Sequence, residues 1–554
     1  MSGQDPFALA EWQRIRRYAV PDQMITECTE ARERGDWRAA CEAGGVDVLI
    51  DDPAPVAEQL AGFAPDLLRW HIPRVLGGHT TVAAGQRYVL VGHDVVIGPD
   101  SVVLIVESPV SALGSQRLTL RTVRWGDQPG GEVLPIAAHL WDARHAGELR
   151  TALSGSADRL PGFTPSGAAL WSAPSGDLRG YAPSADLRGS ASSHAAPGFA
   201  DSGDDLPARA ERVRRQTTIP AGFAEAGAEV LGDWPPHDRA WTVDAMRVVH
   251  DARALTARFG SGEWALQIDY RKFLHIAVDG DTVRVRWQTL TWSDQDSPVR
   301  RLNRIDGGLT RFAVDLDLIR NGRLTAGQLH PLVRAALFPG VPTAPASQVP
   351  ATHAEPVRVR CSGAWHEIGV QRGLLTLPAH TEAERMREKA MRAFGGAVTG
   401  CFAVEQTWAG TAGRLPKRLR AHREDLWQRM LHGGTRTVLE LLDAGMDPNL
   451  RDSRGRTLMH RLRSYDHRVL LPRLLAEGLD INARDLEGST PLYLAVVYQV
   501  PADLIIALSD AGADPHAPNQ DDMTVFDYFD DVLEYRDDLE PEFAAAVAHI
   551  RRRA

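Results

Sequence analysis

Lysine is almost missing from this chain. Of its 62 basic residues only Lys272, Lys389 and Lys417 are lysines. With the heavy use of Arg, Ala and Gly, that is the composition of a high-GC bacterial genome such as an actinomycete's, and it carries no functional information. Cysteine is scarce as well: Cys28, Cys41, Cys361 and Cys401, with no CxxC pair among them. Four thiols in 554 residues are too few to staple a disulfide scaffold and fit a reducing cytoplasm. No run of about 18 apolar residues occurs, which excludes a membrane-spanning helix. The opening MSGQDPFALAEWQRIRRYAV lacks the basic-then-apolar order of a signal peptide. Positive charge is not in excess either. The formal net charge is −10, which disfavours a dedicated nucleic-acid binder, because affinity for phosphate backbones comes mainly from clustered Lys and Arg.

What is present is ordinary globular protein, 44% hydrophobic and 24% charged, long enough for three or four folding units. Residues 1–153 read as an α+β module. Helical patterns over 7–45 and 54–75 precede three β-branched, alternating stretches at 80–91, 101–108 and 116–125, and LPIAAHLWDARHAGELRTAL (134–153) reads as helix. Asp36 is placed to cap a short helix that ends at Gly44-Gly45. Residues 154–206 differ: 33 of the 53 are Gly, Ser, Ala or Pro, and APSGDLRG (173–180) recurs as APSADLRG (182–189). Such a segment buries too little apolar surface to offset its ordering entropy, so a disordered linker is expected there.

Residues 207–340 repeat the earlier order. Helices come first, with AGFAEAGAEV (221–230) echoing RAACEAGGVDV (38–48). Strands follow at 263–270, 273–280 and 282–292, with Gly280-Asp281 as a hairpin turn, and LTAGQLHPLVRAALF (324–338) closes the unit as a helix. Duplication of one module is one reading, two unrelated α+β domains the other. A Pro-rich linker (341–356) leads to a small α/β connector (357–423). It holds a strand pair over 357–371, a helix over 381–395 whose Thr381 and Glu384 are spaced as a capping box, and a basic amphipathic helix from 416.

The specific signal lies in residues 424–554. Gly445, Gly478 and Gly512 close the phrases LLDAGMDPN, LLAEGLDIN and LSDAGADPH at separations of 33 and 34. Thr457, Thr490 and Thr524 open the next phrases at the same separations, and Gly455 and Gly488 stand 33 apart. Thr490-Pro491 supplies a capping hydroxyl beside a proline at the first helical position. Leu441, Leu474 and Leu508 share one inner position; Val438, Leu471 and Ile505 share another. Apolar faces of this size cannot be buried inside one unit, so neighbours must stack. Over about residues 424–535 the pattern resembles the ankyrin-repeat family, whose unit is about 33 residues. DLEGSTPLYLAVVYQVPADLIIALSDAGADPH is its cleanest copy, whereas Thr457-Leu458 lacks the family's proline, Tyr493 replaces its usual His, and DDMTVFDYF is eroded. The resemblance implies a C-terminal all-α ankyrin-repeat solenoid, and with the helix and strand patterns upstream the expectation is a multi-domain protein in which α+β modules precede it.

With about two full repeats, the stack is expected to dock on upstream helices through Leu426 and Trp427 and to be closed by Phe543, Val547 and Ile550 of the last helix. Family members bind partners with finger tips and the concave helix face. On matching positions those are Arg451, Asp452, Arg454, Arg456, Arg484, Asp485 and Glu487 at the tips, and Arg461, Tyr465, Leu494 and Tyr498 on the concave side. The bland alternative is a set of solvated tips. Elsewhere, Cys401 after Gly400 has the form of a turn nucleophile with His366, His380 or His422 as nominal partner, but a buried inert thiol is the preferred reading. His460 suits a structural hydrogen bond between units better than a metal. The basic cluster Arg414, Lys417, Arg418, Arg420 and Arg423 reads as a solvated helix face. No catalytic motif, cofactor motif or metal spacing stands out. The expectation is a cytoplasmic adaptor or scaffold that binds another protein, with an enzyme or a regulatory ligand-binding protein as alternatives and with neither nucleic acid nor membrane as a partner.

Overall fold

The computed structural model describes residues 6–77, 80–128, 132–164, 167–170, 205–216, 218–235, 243–269, 271–291, 297–310, 313–342, 356–371, 373–394, 398–410, 414–535 and 540–554. The chain forms two compact units: residues 1–17, 22–109 and 117–344 make the first, residues 18–21, 110–116 and 345–554 the second.

In the first unit, helices α1 (Pro6–Tyr18), α2 (Asp22–Glu33) and α3 (Trp37–Ala43) lead into β1 (Val46–Leu49). After α4 (Ala57–Gly62) and α5 (Pro65–His71) come β2 (Arg87–Val91), β3 (Val102–Glu107), β4 (Leu118–Arg124), β5 (Val133–Ala137) and α6 (Leu149–Ala152). The second half continues with α7 (Leu206–Arg215), α8 (Ile219–Glu225), β6 (Glu229–Leu231), α9 (Ala245–Phe259), β7 (Glu263–Gln267), β8 (Lys272–Asp279) and β9 (Thr282–Thr289). It ends with α10 (Pro298–Arg301), β10 (Asn303–Ile305), α11 (Val314–Arg320) and α12 (Pro331–Leu337).

Each half builds one five-stranded mixed sheet, and the two sheets have the same plan. The orders are β1-β4-β3-β2-β5 and β6-β9-β8-β7-β10. In both, the first strand pairs parallel to the fourth, the middle three form an antiparallel meander, and the second pairs parallel to the fifth. The sequence echo falls on matching places. Helix α3 is capped by Asp36, whose carboxylate accepts from Ala39 N at 3.0 Å, and α8 by Thr218, whose hydroxyl accepts from Ala221 N. Each then turns into its edge strand through a left-handed glycine, Gly45 (φ 64) and Gly227 (φ 84).

The halves are not separate beads. Val89, Ile105 and Val133 share one core with Phe223, Val248, Trp264, Leu274 and Val285. Buried polar links also join them: Arg16 Nε to Asp315 at 2.5 Å, Trp70 Nε1 to the same carboxylate at 3.0 Å, and His330 Nε2 to Asp66 at 3.0 Å.

Two expected helices are corrected. Within 134–153, the first residues form β5, pairing Leu134 with Tyr88 and Ile136 with Leu90, and only Leu149–Ala152 is α-helical. Alanine-rich composition suggested helix, but the partner offered by β2 decided otherwise; Pro135 is tolerated because β5 closes its sheet. Within 324–338 only Pro331–Leu337 is α-helical. The Gly280-Asp281 turn joins β8 to β9, with Asp279 paired to Thr282. Of the proposed linker, residues 154–164 and 167–170 are packed, Leu160 and Phe163 being buried, whereas 165–166 and 171–204 lie outside the described residues, as do 343–355 of the Pro-rich segment.

The second unit opens with an antiparallel sheet of β11 (Val357–Cys361), β12 (Ala364–Gln371) and β13 (Leu374–Thr376). Helices α13 (Glu382–Ala393), α14 (Gly400–Ala409) and α15 (Lys417–Asp443) follow, the last broken at Gly434 (φ 66). The Thr381–Glu384 capping box forms in both directions. Next come a 3₁₀ turn (Met459–Ser464), α16 (His467–Ala476), α17 (Pro491–Val497), α18 (Ala502–Asp510), α19 (Val525–Tyr535) and α20 (Pro541–Arg553). Leu441, Leu474 and Leu508 lie in one continuous core with Val438, Leu471 and Ile505. That core runs on to Ile368 and Trp408 among the upstream elements and to Phe543, Val547 and Ile550 of α20, with Leu426 and Trp427 also inside it. Each such aliphatic side chain contributes roughly 1.5–3 kcal/mol when fully buried.

Candidate protein-binding surface

The loops between α15 and α19 repeat atom for atom. Asp452 Oδ1 accepts from Arg454 N and Arg456 N; Asp485 Oδ1 from Glu487 N and Ser489 N; Asn519 Oδ1 from Asp521 N and Met523 N. One short side chain thus shapes each tip by satisfying two backbone donors, as Asx turns do. The tips are cross-tied. Leu486 N donates to Arg454 O at 2.9 Å, Gln520 N to Glu487 O at 3.0 Å, Arg451 Nη1 to Arg484 O at 2.7 Å and Arg484 Nη1 to Pro518 O at 2.6 Å. The tips are therefore rigid in register.

This network divides the residues proposed for binding. Asp452, Arg456, Asp485, Tyr465 and Leu494 are buried. Arg456 Nε donates to Asp485 at 3.0 Å, and Asp452 accepts from Arg461. Arg451, Arg461 and Tyr498 are half-buried, and the Arg463 guanidinium lies 3.8 Å from the centre of the Tyr498 ring. Arg454, Arg484 and Glu487 stand exposed. Sequence reasoning passed over Leu486, which is 51% exposed beside Glu487. Its signal was an apolar residue at a tip position where the preceding unit has Ser453.

Behind the tips, His460 Nδ1 accepts from Thr457 N at 3.1 Å, while Nε2 lies 3.2 Å from Ser489 O of the next unit and donates to it. Burial holds this imidazole down at about 4, so it is neutral at physiological pH. One unit on, Tyr493 supplies the cross-link instead, its hydroxyl accepting from Asn519 Nδ2 at 3.1 Å.

The structure also gathers side chains outside this surface. Cys401, His366 and His380 come together with Cys361; His422 is not part of that group. Burial, then the neighbouring Cys361, pushes the Cys401 thiol up to about 12, which does not suit a nucleophile. In the basic cluster, Arg423 donates to the carbonyls of Thr407 and Trp408 at the end of α14, whereas Arg414, Lys417, Arg418 and Arg420 are exposed. In the first unit a cavity of ≈ 50 Å³ is lined by Arg16, His71, Arg247 and Asp315 among apolar residues. It has room for a few waters rather than a substrate.

No family model matches the chain. Curated relatives match parts of it. An ankyrin repeat-containing protein of Schizosaccharomyces pombe is 37% identical over 99 residues, 18% of this chain and 46% of that protein. The similarity is to ankyrin-repeat proteins. Rabankyrin-5 of Mus musculus is 44% identical over 59 residues (10% of this chain, 5% of the relative), and the mouse NF-kappa-B inhibitor delta 39% over 62 (11% and 19%). The chain thus spans less than half the length of each of these ankyrin relatives, and they support an ankyrin-repeat assignment for the matched part alone. Among the described residues no helix is long and apolar enough to cross a membrane.

Proposed function

We propose that this chain is a cytoplasmic adaptor or scaffold whose C-terminal part is an all-α ankyrin-repeat solenoid that binds another protein. The observation that carries the reading is the pair of exposed tips, Arg454 and then Arg484-Leu486-Glu487, held in fixed register by buried Asp452 and Asp485. Pre-organised tips lose little entropy on docking, and an exposed apolar residue ringed by charges is the make-up of a small interface centre. Arg451, Arg461 and Tyr498 form the half-buried border of the same surface, and the ankyrin relatives favour a protein partner. The net charge of −10 speaks for a protein rather than a nucleic acid. The matched sheet plans support the further reading that the N-terminal modules arose by duplication.

The test is to identify partners by cross-linking in the native host and then to measure the affinity of one purified partner for the Arg454→Ala/Arg484→Ala variant. A loss of at least about tenfold is expected, with only a small fall in thermal stability from the lost Arg484–Pro518 tie. Unchanged affinity would remove the tips from the interface.

A further inference from the structure

Four side chains that lie far apart in sequence converge at the start of the second unit. Cys361 ends β11. His366 faces the same side of the hairpin, because it pairs with Val359, two residues before Cys361. His380 immediately precedes the Thr381–Glu384 capping box of α13, and Cys401 lies in the first turn of α14. The approach of α14 to Cys361 depends on Gly400. It has φ 61, and a Cβ there would sit 2.6 Å from Cys361 Sγ and 3.0 Å from its Cα, so a larger residue is excluded.

The donor atoms point at one another. His366 Nδ1 lies 3.0 Å from His380 Nε2 and 3.7 Å from Cys401 Sγ, and one donor atom from each of the four residues falls within 4.8 Å of every other. A tetrahedral zinc with Zn–S of about 2.3 Å and Zn–N of about 2.0 Å needs donor-to-donor edges of roughly 3.3–3.8 Å, close to these spacings. Neither cysteine is in a disulfide. On the far nitrogen of His380, Nδ1, the Glu384 carboxylate stands at 3.8 Å, an ion-pair distance rather than a hydrogen bond, on the side where a ligating imidazole takes its supporting acceptor. Phe402 packs on the His380 ring at 4.6 Å between centroids, and Val357, Ile368 and Val404 join the surrounding core.

We propose that Cys361, His366, His380 and Cys401 bind one zinc ion in a closed Cys₂His₂ site that clamps the cap of the helical repeats. Two thiolates select a borderline-soft metal, and four protein ligands leave no open position, so the site is structural rather than catalytic. Binding of Zn²⁺ breaks two S–H bonds and releases both protons to solvent. The clamp bears on the repeats through the β12–β13 turn. Gly373 O accepts from Trp408 Nε1 of α14 at 3.3 Å, and a Cβ at Gly373 would lie 3.1 Å from Met446 and 3.2 Å from Leu426. No contiguous motif announces this site, because its ligands are 5, 14 and 21 residues apart on separate elements.

The full chain, expressed without a metal-binding tag in zinc-supplemented medium, is assayed by plasma mass spectrometry. One zinc per chain is expected, falling to background in Cys401→Ser and in His366→Asn/His380→Asn. Cobalt replacing zinc in the wild-type chain is expected to give thiolate charge-transfer absorption and the intense visible bands of a tetrahedral ion, which requires no variant to fold. Wild-type protein that holds no zinc and gives no thiolate–cobalt band overturns the proposal, as does a Cys361–Cys401 disulfide in freshly purified protein.

Discussion

His460 shows how a side chain that resembles a catalytic or metal-binding group is tied to structure. Both ring nitrogens are engaged, one within its own unit and one with Ser489 O of the next. Its folded-state value, about 4 against an ordinary 6.5, means that the neutral ring is the one the fold accepts. The sign follows: the stability it lends is complete above about pH 6.5 and is lost as pH falls towards 4, amounting to about 3 kcal/mol. Urea denaturation between pH 7 and 4 should show this decline, and His460→Gln should remove its own share of it, leaving that of His71 and His139, which burial also keeps neutral. Arg456 and Asp485 give a second residue-scale prediction. Their side chains are 2% and 1% exposed and 3.0 Å apart, so Arg456→Ala leaves a buried carboxylate without its cation. A loss of about 3 kcal/mol is expected, read as a lowered urea midpoint; a variant within about 0.5 kcal/mol of wild type would show that water reaches Asp485.

At the scale of elements, glycines separate tight turns from open ones. Gly478 and Gly488 both have positive φ, 81 and 74, but a Cβ at Gly478 meets nothing within 4 Å, whereas at Gly488 it would lie 2.9 Å from Gln520 N. Gly478→Ala should therefore cost about 1 kcal/mol for the left-handed backbone alone, and Gly488→Ala measurably more, since the next tip must move. Thermal melts of the two variants in parallel decide it. In the third unit Asp522 takes the same conformation at φ 57, so the turn outlasts its glycine. Here the sequence was most legible: Asp36, Thr381 and Thr490 cap the helices assigned to them, because capping is decided within a few residues. Strand β5 was not legible, because its identity comes from pairing with β2, more than forty residues away.

At the scale of the molecule, a short repeat array must be closed at both ends. The α20 helix buries Phe543, Val547 and Ile550 against the last units, with Phe543 and Phe529 ring centroids 6.0 Å apart. Deleting residues 541–554 should cost roughly 5 kcal/mol or more of burial and give a form that binds a hydrophobic dye. At the other end, a fragment of residues 356–554 should stay monomeric while 420–554 aggregates, because the shorter one loses the β11–β13 sheet and α14 from a shared core. Equal behaviour of the two by light scattering would show that the repeats do not need that cap.

By itself the sequence determined whatever depends on near neighbours: the 33-residue period of glycines and leucines, the helix caps, the β8–β9 turn and the alternation of α and β segments. Those signals are local, set by backbone preference and by which face of an element is apolar. Only the tertiary structure decided that two halves build sheets of one plan around a shared core, that Asp452 and Asp485 face inward while Arg454 and Arg484 face out, and that two cysteines and two histidines meet. Each of these depends on chain segments packed far from their neighbours in sequence, and a linear pattern carries no distance between such segments.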